Sequence, residues 1–406
     1  MVFKCLKTFK YFSIRITIKS KVNVEYIIVM LKILLIEPYY TGSHKKWADD
    51  YKKESNHCVK ILSLEGQFWK WRMHGGAITL AEKFNNMNWA PNLIIATDML
   101  DLTIFLSLTR KKTHNIPTTM YFHENQISYP WSPNDIDIKK NRDTHYGFIN
   151  YSSALSSDHV LFNSNYHMNT FLDELNPFLK NFPDHNELNS INTIKRKSKT
   201  LHLGLDLKKF DIKIIKKKKK PSILWNHRWE YDKNPELFFS TLEKVKNAGY
   251  TFNLIILGEN FSQSPKIFEK ARDLFKDELI HWGYAKTFEL YAELLCRSDI
   301  IPVTSNQEFF GISVMEAIYC GNWPILPNRL SYPELLPKAN HEENIYEDEK
   351  DLYKKIINAI VNIDKIRKSK LSLIASKFSW DIIAPVYDNF FTDVFSNHQI
   401  KINDIK

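Results

Sequence analysis

From Leu31 onward one pattern recurs: a short apolar run, a polar or glycine-bearing turn, then a helical stretch. The apolar runs Ile33–Ile36, Val59–Leu62, Leu93–Ala96, Thr118–Phe122 and His159–Phe162 are continuous rather than alternating, as in parallel strands buried on both faces. After a basic stretch the pattern restarts with Ile223–Trp225, Phe252–Leu257, Leu279–His281, Asp299–Val303 and Trp323–Leu326. Helices are predicted at Pro235–Ala248, opening on the capping pair Asn234-Pro235, at Lys286–Cys296, at Gly311–Tyr319, and at Ile382–Val394 near the end. The expected fold class is α/β, with two doubly wound Rossmann-like domains facing each other across a cleft. The first spans 30–210, a basic linker spans 211–221, the second spans 222–380, and 381–406 is a helix that would cross back to the first domain.

Residues 1–29 carry Lys4, Lys7, Lys10, Arg15, Lys19 and Lys21 against one acid, Glu25, and lack the apolar core of a secretory signal. The simplest reading is a physiological start at Met30, just before the first strand. A targeting arm comes second. An extra strand comes last, although Phe12–Ile18 alternates over a few residues.

Composition narrows the classes. The 406 residues suffice for two ordinary domains, and 44% hydrophobic content with 11 Gly and 16 Pro implies a mostly folded chain. The excess of 56 Lys and Arg over 46 Asp and Glu favours a polyanionic partner without requiring one. The run Lys216–Lys220 reads first as a solvated linker and second as a nucleic-acid contact. Cys5, Cys58, Cys296 and Cys320 lack CxxC spacing, so neither a disulfide framework nor a structural zinc is implied, and a reducing compartment fits. There is no long apolar run of membrane-spanning type, so no membrane insertion is expected.

The candidate chemistry lies at strand ends, where open α/β sheets bind ligands. In Glu308-Phe309-Phe310-Gly311-Ile312 through Glu316, a turn leads into a helix whose first N–H groups could receive a phosphate. The two glutamates are suited to gripping sugar hydroxyls. Arg228 and Lys233, in the loop opened by Asn226-His227, could neutralise a diphosphate. Gly258 and the His281-Trp282-Gly283 turn could hold a base and its ribose. In the first half, Gly42 and Ser43 form a turn where backbone could approach a phosphate, without dinucleotide or P-loop spacing. His123 ends another strand and is as readily structural as functional.

Glu308 with Glu316, Arg228 with Lys233, Gly204 through Phe210, and His123 together resemble the retaining GT-B glycosyltransferases of family four, from about Leu31 to Trp380. More narrowly, Glu37 through Lys45, Trp69 through Arg72, Tyr121 through Gln126, His227 through Lys233, and Glu308 through Gly321 resemble the branch that mannosylates queuosine in tRNA. The resemblance implies a GT-B fold and mannose transfer from GDP-mannose to queuosine at the wobble position of tRNA-Asp. It implies no cofactor, no metal ion, and no obligate protein partner.

By the same resemblance Arg228 and Lys233 bind the diphosphate, Glu308 the mannose hydroxyls and Glu316 the nucleotide ribose. His123 lies against the sugar, and Gly311 opens the phosphate-binding helix. Localisation would be cytoplasmic, with the nucleus as a second place. Two departures stand out: the spacing from Arg228 to Lys233 is one shorter than in many family-four enzymes, and Asn226-His227 replaces the usual glycine. The queuosine branch shares both.

On the acceptor side, Trp69, Trp71, Arg72 and His74 read as an aromatic–basic cluster at a strand end, able to stack a splayed base. Arg142, Tyr146 and Asn150 are expected at a helix start beside it, with His44 and Asn125 as further acceptor contacts. The alternatives are a retaining transferase with a lipid or glycan acceptor, and a non-catalytic RNA-binding relative. The intact Arg228, Lys233, Glu308 and Glu316 set disfavours the last.

Overall fold

A computed structural model describes residues 12–15, 25–28, 30–130, 137, 144–211, 217–259 and 265–405. The chain divides into two compact units. The first comprises 1–163, 168–204 and 380–406, the second 164–167 and 205–379.

In the first unit, strands β1 (Lys32–Tyr40), β2 (Cys58–Glu65), β3 (Leu93–Thr97), β4 (Thr118–Phe122), β5 (His159–Phe162) and β6 (Ser198–Thr200) form one parallel sheet. Its order is β2-β1-β3-β4-β5-β6. Helices α1 (Gly42–Glu54), α2 (Trp69–Asn85), α3 (Leu102–Thr113), α4 (Thr144–Ser156), α5 (Asn165–Lys180) and α6 (Asn189–Lys197) lie between the strands in sequence. Ile36 pairs with Ala96, and Phe122 with Phe162, so Glu37, Asp98 and His123 arrive at one end of the sheet. One face packs Leu34, Ile36, Ile94, Met120 and Phe162 against Leu80, Phe84, Phe105, Phe171 and Leu175. Burying such side chains stabilises by about 1.5–3 kcal/mol each.

The long final helix belongs to this unit. Tyr387 is buried beside Trp47, Tyr51 and Tyr121, and its hydroxyl accepts from the Trp47 indole at 3.2 Å. Asp388 accepts from the Tyr51 hydroxyl at 3.0 Å, the Ser55 hydroxyl at 2.6 Å and the Asn56 N–H at 2.7 Å.

In the second unit, β7 (Ser222–Asn226), β8 (Asn253–Leu257), β9 (Leu279–Gly283), β10 (Ile300–Pro302), β11 (Trp323–Pro327) and β12 (Ile345–Tyr346) form another parallel sheet. Its order is β9-β8-β7-β10-β11-β12. The helices used below are α7 (Pro235–Asn247), α8 (Ile267–Leu274), α9 (Phe288–Arg297), α10 (Ile312–Tyr319), α11 (Glu349–Val361) and, in the first unit, α12 (Trp380–Ile405). The αL residue Asn234 caps α7 by accepting from the Leu237 N–H at 3.3 Å, with Pro235 at the first helical position.

Four expectations need correction. Trp69 through Gly76 is not a strand-end loop but the first turns of α2. Gly42 and Ser43 open α1 rather than forming a free turn. Lys217 is not simply solvated: its ammonium bonds the Ser298 carbonyl at 2.6 Å and the Gly321 carbonyl at 3.2 Å, while Lys216 lies outside the described residues. Residues 12–15 and 25–28 do pair, as two antiparallel strands. Among the described residues no helix is long and apolar enough to cross a membrane.

Asp388→Ala is expected to destabilise the first unit by about 3 kcal/mol, since buried donors on Tyr51, Ser55 and Asn56 lose a charged acceptor. Urea unfolding followed by near-UV circular dichroism would show it; an unchanged midpoint would mean that water replaces the carboxylate.

Candidate active site

The candidate residues fall into two groups, one in each unit. In the second, the loop after β7 carries Arg228 and Lys233. Lys233 is buried, and its ammonium donates to the Gln307 carbonyl at 2.8 Å and lies 3.1 Å from Asp232 and 3.7 Å from Glu308. Arg228 is half-exposed and pairs with Glu230 at 3.2 Å. Gly258, at φ +132°, lets the neighbouring loop close in, since a Cβ there would meet the His227 carbonyl oxygen at 2.1 Å. Burial, helped by the charges of Lys233 and Arg228, lowers His227 to about 3, so the ring beside the two cations is neutral.

After β10 the chain turns through Glu308 into α10. Glu308 Oε1 accepts from the Phe309 N–H at 3.2 Å and the Phe310 N–H at 3.3 Å. Gly311 stands at the N-cap with φ +103° and makes no side-chain cap hydrogen bond to the start of the helix. One turn in, Glu316 accepts from the Tyr291 hydroxyl at 2.7 Å and sits 3.6 Å from the Lys209 ammonium. Asn226 donates to the Tyr291 hydroxyl and the Ser313 carbonyl, both at 3.0 Å. Asn226 therefore orients the partner of Glu316. Phe309 and Phe310 are buried, Phe309 stacking on His167 at 4.0 Å, so only their backbone faces the Glu308 carboxylate. Trp282 packs edge-on to Trp229 at 5.3 Å, and Gly283, at φ +109°, ends the strand.

In the first unit the strand ends gather carboxylates around a histidine pair. Glu37 is fully buried and its Oε2 lies 3.0 Å from His44 Nδ1. The His44 and His123 rings are 4.4 Å apart, and Trp47 meets His123 edge-on at 4.6 Å. Asp98 accepts the His123 N–H at 2.8 Å, and Asn163 donates to the His123 carbonyl at 2.9 Å. Burial alone would lower His44, but Glu37, with Asp98 and Glu124, outweighs it and holds the ring up at about 9. Burial raises Asp98 to about 8, against the opposing charge of His44. Glu37, His44 and His123 also each offer one possible metal-ligand atom, all within 4.8 Å of one another. A protonated His44 already supplies positive charge to these acids, and its bond to Glu37 accounts for their close approach.

Residues 32–205 match the family described as tRNA-queuosine alpha-mannosyltransferase N-terminal, and 208–371 match glycosyl transferases group 1. The chain is 33% identical over 380 residues to the tRNA-queuosine alpha-mannosyltransferase of Drosophila melanogaster, covering 90% of this chain and 97% of that protein. The chain belongs to the tRNA-queuosine alpha-mannosyltransferase family.

A second relative, an uncharacterised 41.2 kDa protein from the cps region of Klebsiella pneumoniae, is 29% identical over 119 residues, covering 29% of this chain and 31% of its own. Among solved structures, Anabaena HepE with UDP and glucose superposes with a TM-score of 0.61 at 14% identity, covering 89% of this chain and 99% of its own. A glycosyltransferase from Rickettsia africae does so at 0.63 and 16%, covering 91% and 99%. The fold of this queuosine-mannosyltransferase family member is accordingly GT-B, and the chain is a glycosyltransferase.

Several acceptor residues expected within this family need a different description. Asn125 is fully buried, its Oδ1 accepting from the Ile127 N–H at 3.1 Å and the Ser128 N–H at 2.8 Å. Asn150 is buried between the Gln126 N–H and the Asp98 carbonyl, both at 2.8 Å. Both build the loop after β4. Tyr146 is core, packed with Met73, Met99 and Ile149, and Trp69 lies against that cluster. His44 is buried on Glu37. His74 stacks on His145 at 4.4 Å, and Arg72 donates to the Glu65 carbonyl at 3.0 Å. Trp71 is exposed, and Arg142 lies outside the described residues.

The sequence reading passed over Tyr291, Lys209, Gln307 and Asp232. The last two directly flank the residues it chose, and Lys209 falls inside the Gly204–Phe210 segment that carries the resemblance; nothing in the sequence marked Tyr291.

The histidine–carboxylate cluster sets a pH dependence. Asp98, raised when folded, favours the folded state less as pH climbs from the ordinary carboxylate range to about 8. The contribution of His44 is complete below about 6.5, the ordinary histidine value, and is lost as pH rises through about 9. Both therefore lower stability between about pH 6.5 and 8. Melting temperatures of the wild type and of Asp98→Asn across that window should diverge, the variant falling less. Parallel curves would refute the assignment.

Proposed function

We propose that the chain transfers mannose from GDP-mannose to queuosine at the wobble position of tRNA-Asp, with retention at the anomeric carbon. The second unit takes the donor and the first the acceptor. The observation that carries the reading is the buried Lys233 ammonium beside Glu308 at the mouth of α10, in a chain of this family.

In this reading Lys233 and Arg228 neutralise the diphosphate, and the opening N–H groups of α10 receive it. Glu308 hydrogen-bonds mannose hydroxyls. Glu316, oriented by Tyr291, accepts from the ribose. His123, fixed through its backbone by Asp98 and Asn163, packs on the transferred sugar. The acceptor hydroxyl attacks on the face that the diphosphate leaves, forming the new glycosidic C–O bond as the old one breaks. Its proton passes to a diphosphate oxygen. Protein side chains supply the positive charge, so the step as proposed uses no metal. The reaction belongs in the cytoplasm, where mature tRNA is found, and a nuclear pool is the second place.

The test is mass spectrometry of nucleosides from queuosine-containing tRNA-Asp incubated with protein and GDP-mannose, beside GDP-glucose and UDP-glucose controls. A gain of one hexose on queuosine with GDP-mannose alone is expected. Hexose gain from another donor would refute the donor assignment, and GDP release without modified nucleoside would refute the acceptor.

Lys233→Ala is expected to cut turnover by about 10²–10³-fold, the scale of losing one preorganised charge donor. Filter binding of the tRNA should stay near the wild-type level. Retained turnover would remove Lys233 from the donor site.

A further inference from the structure

The start of α2 is built in a way that the core does not require. Its N-cap, Phe68, is held in the left-handed region at φ +51°, unusual for an aromatic residue, and is 74% exposed. Trp71, one turn on and on the same side of the helix, is 64% exposed. Between them Trp69 turns the other way, onto Tyr146 at 5.2 Å. Neighbouring large aromatics left on a surface mark a contact site more often than chance.

The pose of Trp71 is set by a bare backbone. A Cβ built on Gly75 would lie 2.7 Å and 2.8 Å from Trp71 ring atoms Cζ2 and Cε2. The indole therefore lies across the helix where any other residue at 75 would push it away. In the segment 65–75 the cations Lys70 and Arg72 interleave with the aromatics in a chain of net charge +10. Lys70 is paired with Asp137, and Arg72, whose Nε donates to the Glu65 carbonyl at 3.0 Å, keeps its charge beside Trp71. Exposed aromatic faces interleaved with cations suit unpaired nucleobases and their phosphates.

We propose that Phe68 and Trp71 form a stacking platform for two unpaired bases of the acceptor RNA beside the modified nucleotide, with Gly75 fixing the pose of Trp71. The inference rests on the tRNA acceptor proposed above, and it adds Phe68 and Gly75 as determinants. The platform reads single-strandedness and loop shape, because every base has a face to stack.

Fluorescence anisotropy with a labelled anticodon stem-loop that lacks queuosine tests this without any sugar transfer. Parallel titrations use a fully paired duplex of the same strand length and neutral phosphatidylcholine vesicles. Phe68→Ala and Trp71→Ala are each expected to weaken stem-loop binding by about 5- to 100-fold, the range for one base stack, while duplex binding changes less than twofold. Phe68→Tyr and Trp71→Phe should recover most of the loss. Gly75→Ala strengthens the helix intrinsically yet displaces the indole, so it should lose binding as Trp71→Ala does, with no fall in melting temperature.

Stem-loop affinity within twofold of wild type in both alanine variants would overturn the proposal. So would equal losses on loop and duplex, or a loss confined to vesicles. Failure of mannose transfer with the stem-loop pattern intact would instead refute the reaction and leave the platform standing.

Discussion

The second unit is organised around one buried ammonium. An isolated lysine charge in an interior is strongly unfavourable, and it is tolerated only where hydrogen bonds and opposite charge meet it from several sides. Lys233 meets that condition through Gln307, Asp232 and Glu308, which ties its own loop to the one leading into α10. Backbone bonds reinforce the tie. Thr304 donates to the carbonyls of Lys233 and Asn234 at 2.9 Å each, the Asn306 N–H reaches the Asp232 carbonyl at 2.7 Å, and Arg329 clamps the carbonyls of Thr304 and Ser305. The helix mouth at Gly311 is thereby presented in one arrangement. Preorganisation of this kind lets a site stabilise charge without rearranging when the charge appears.

The first unit solves the converse problem. There the buried excess is negative, with Glu37 and Asp98 fully enclosed at adjacent strand ends. Hydrogen bonding from His44 answers Glu37, and protonation answers Asp98, whose ionised form is disfavoured by burial before any neighbour is counted. The reward is a fixed backbone at His123, which Asp98 holds by its N–H and Asn163 by its carbonyl. Both units thus place a polar residue at a parallel strand end and immobilise it through side chains from the neighbouring strands. Strand register makes those neighbours available, and a one-residue slip would turn them to the other face.

The strands were the legible part. Continuous apolar runs marked every central strand to within a few residues, because burial on both faces leaves a signal that no turn or surface helix shares. The edge strands Ser198–Thr200 and Ile345–Tyr346 carried no such run and went unseen. The helix start at Trp69 was missed for a physical reason. Its cap is a phenylalanine in a left-handed conformation, without the Ser, Thr, Asp or Asn that usually announces a helix, and two glycines follow within its second turn. In the candidate site, charges at strand ends were readable, and Lys233 and Glu308 come within 3.7 Å of each other. Asn125 and Asn150 were not, because an asparagine that shapes a loop and one that greets a ligand are the same letter. Only their backbone partners, 2.8 Å to 3.1 Å away, tell the two apart.

A carboxylate is out of place at the phosphate site proposed for α10, and the geometry of Glu308 resolves the conflict. Its Oε1 occupies the N–H groups of Phe309 and Phe310, just before the glycine, while α10 itself begins at Ile312. The donors are therefore divided along the chain. Those ahead of Gly311 hold the glutamate, and those after it remain at the positive end of the helix dipole. Lys233, within 3.7 Å of Glu308, offsets the repulsion between that carboxylate and an arriving phosphate. Glu316 is kept one turn deeper, its charge met by the Tyr291 hydroxyl and by Lys209. In the proposed reaction a sugar hydroxyl and a phosphate would then be bound close together by neighbouring groups of opposite character. A glycine at position 311 keeps the two sets of donors from merging into one continuous helix cap.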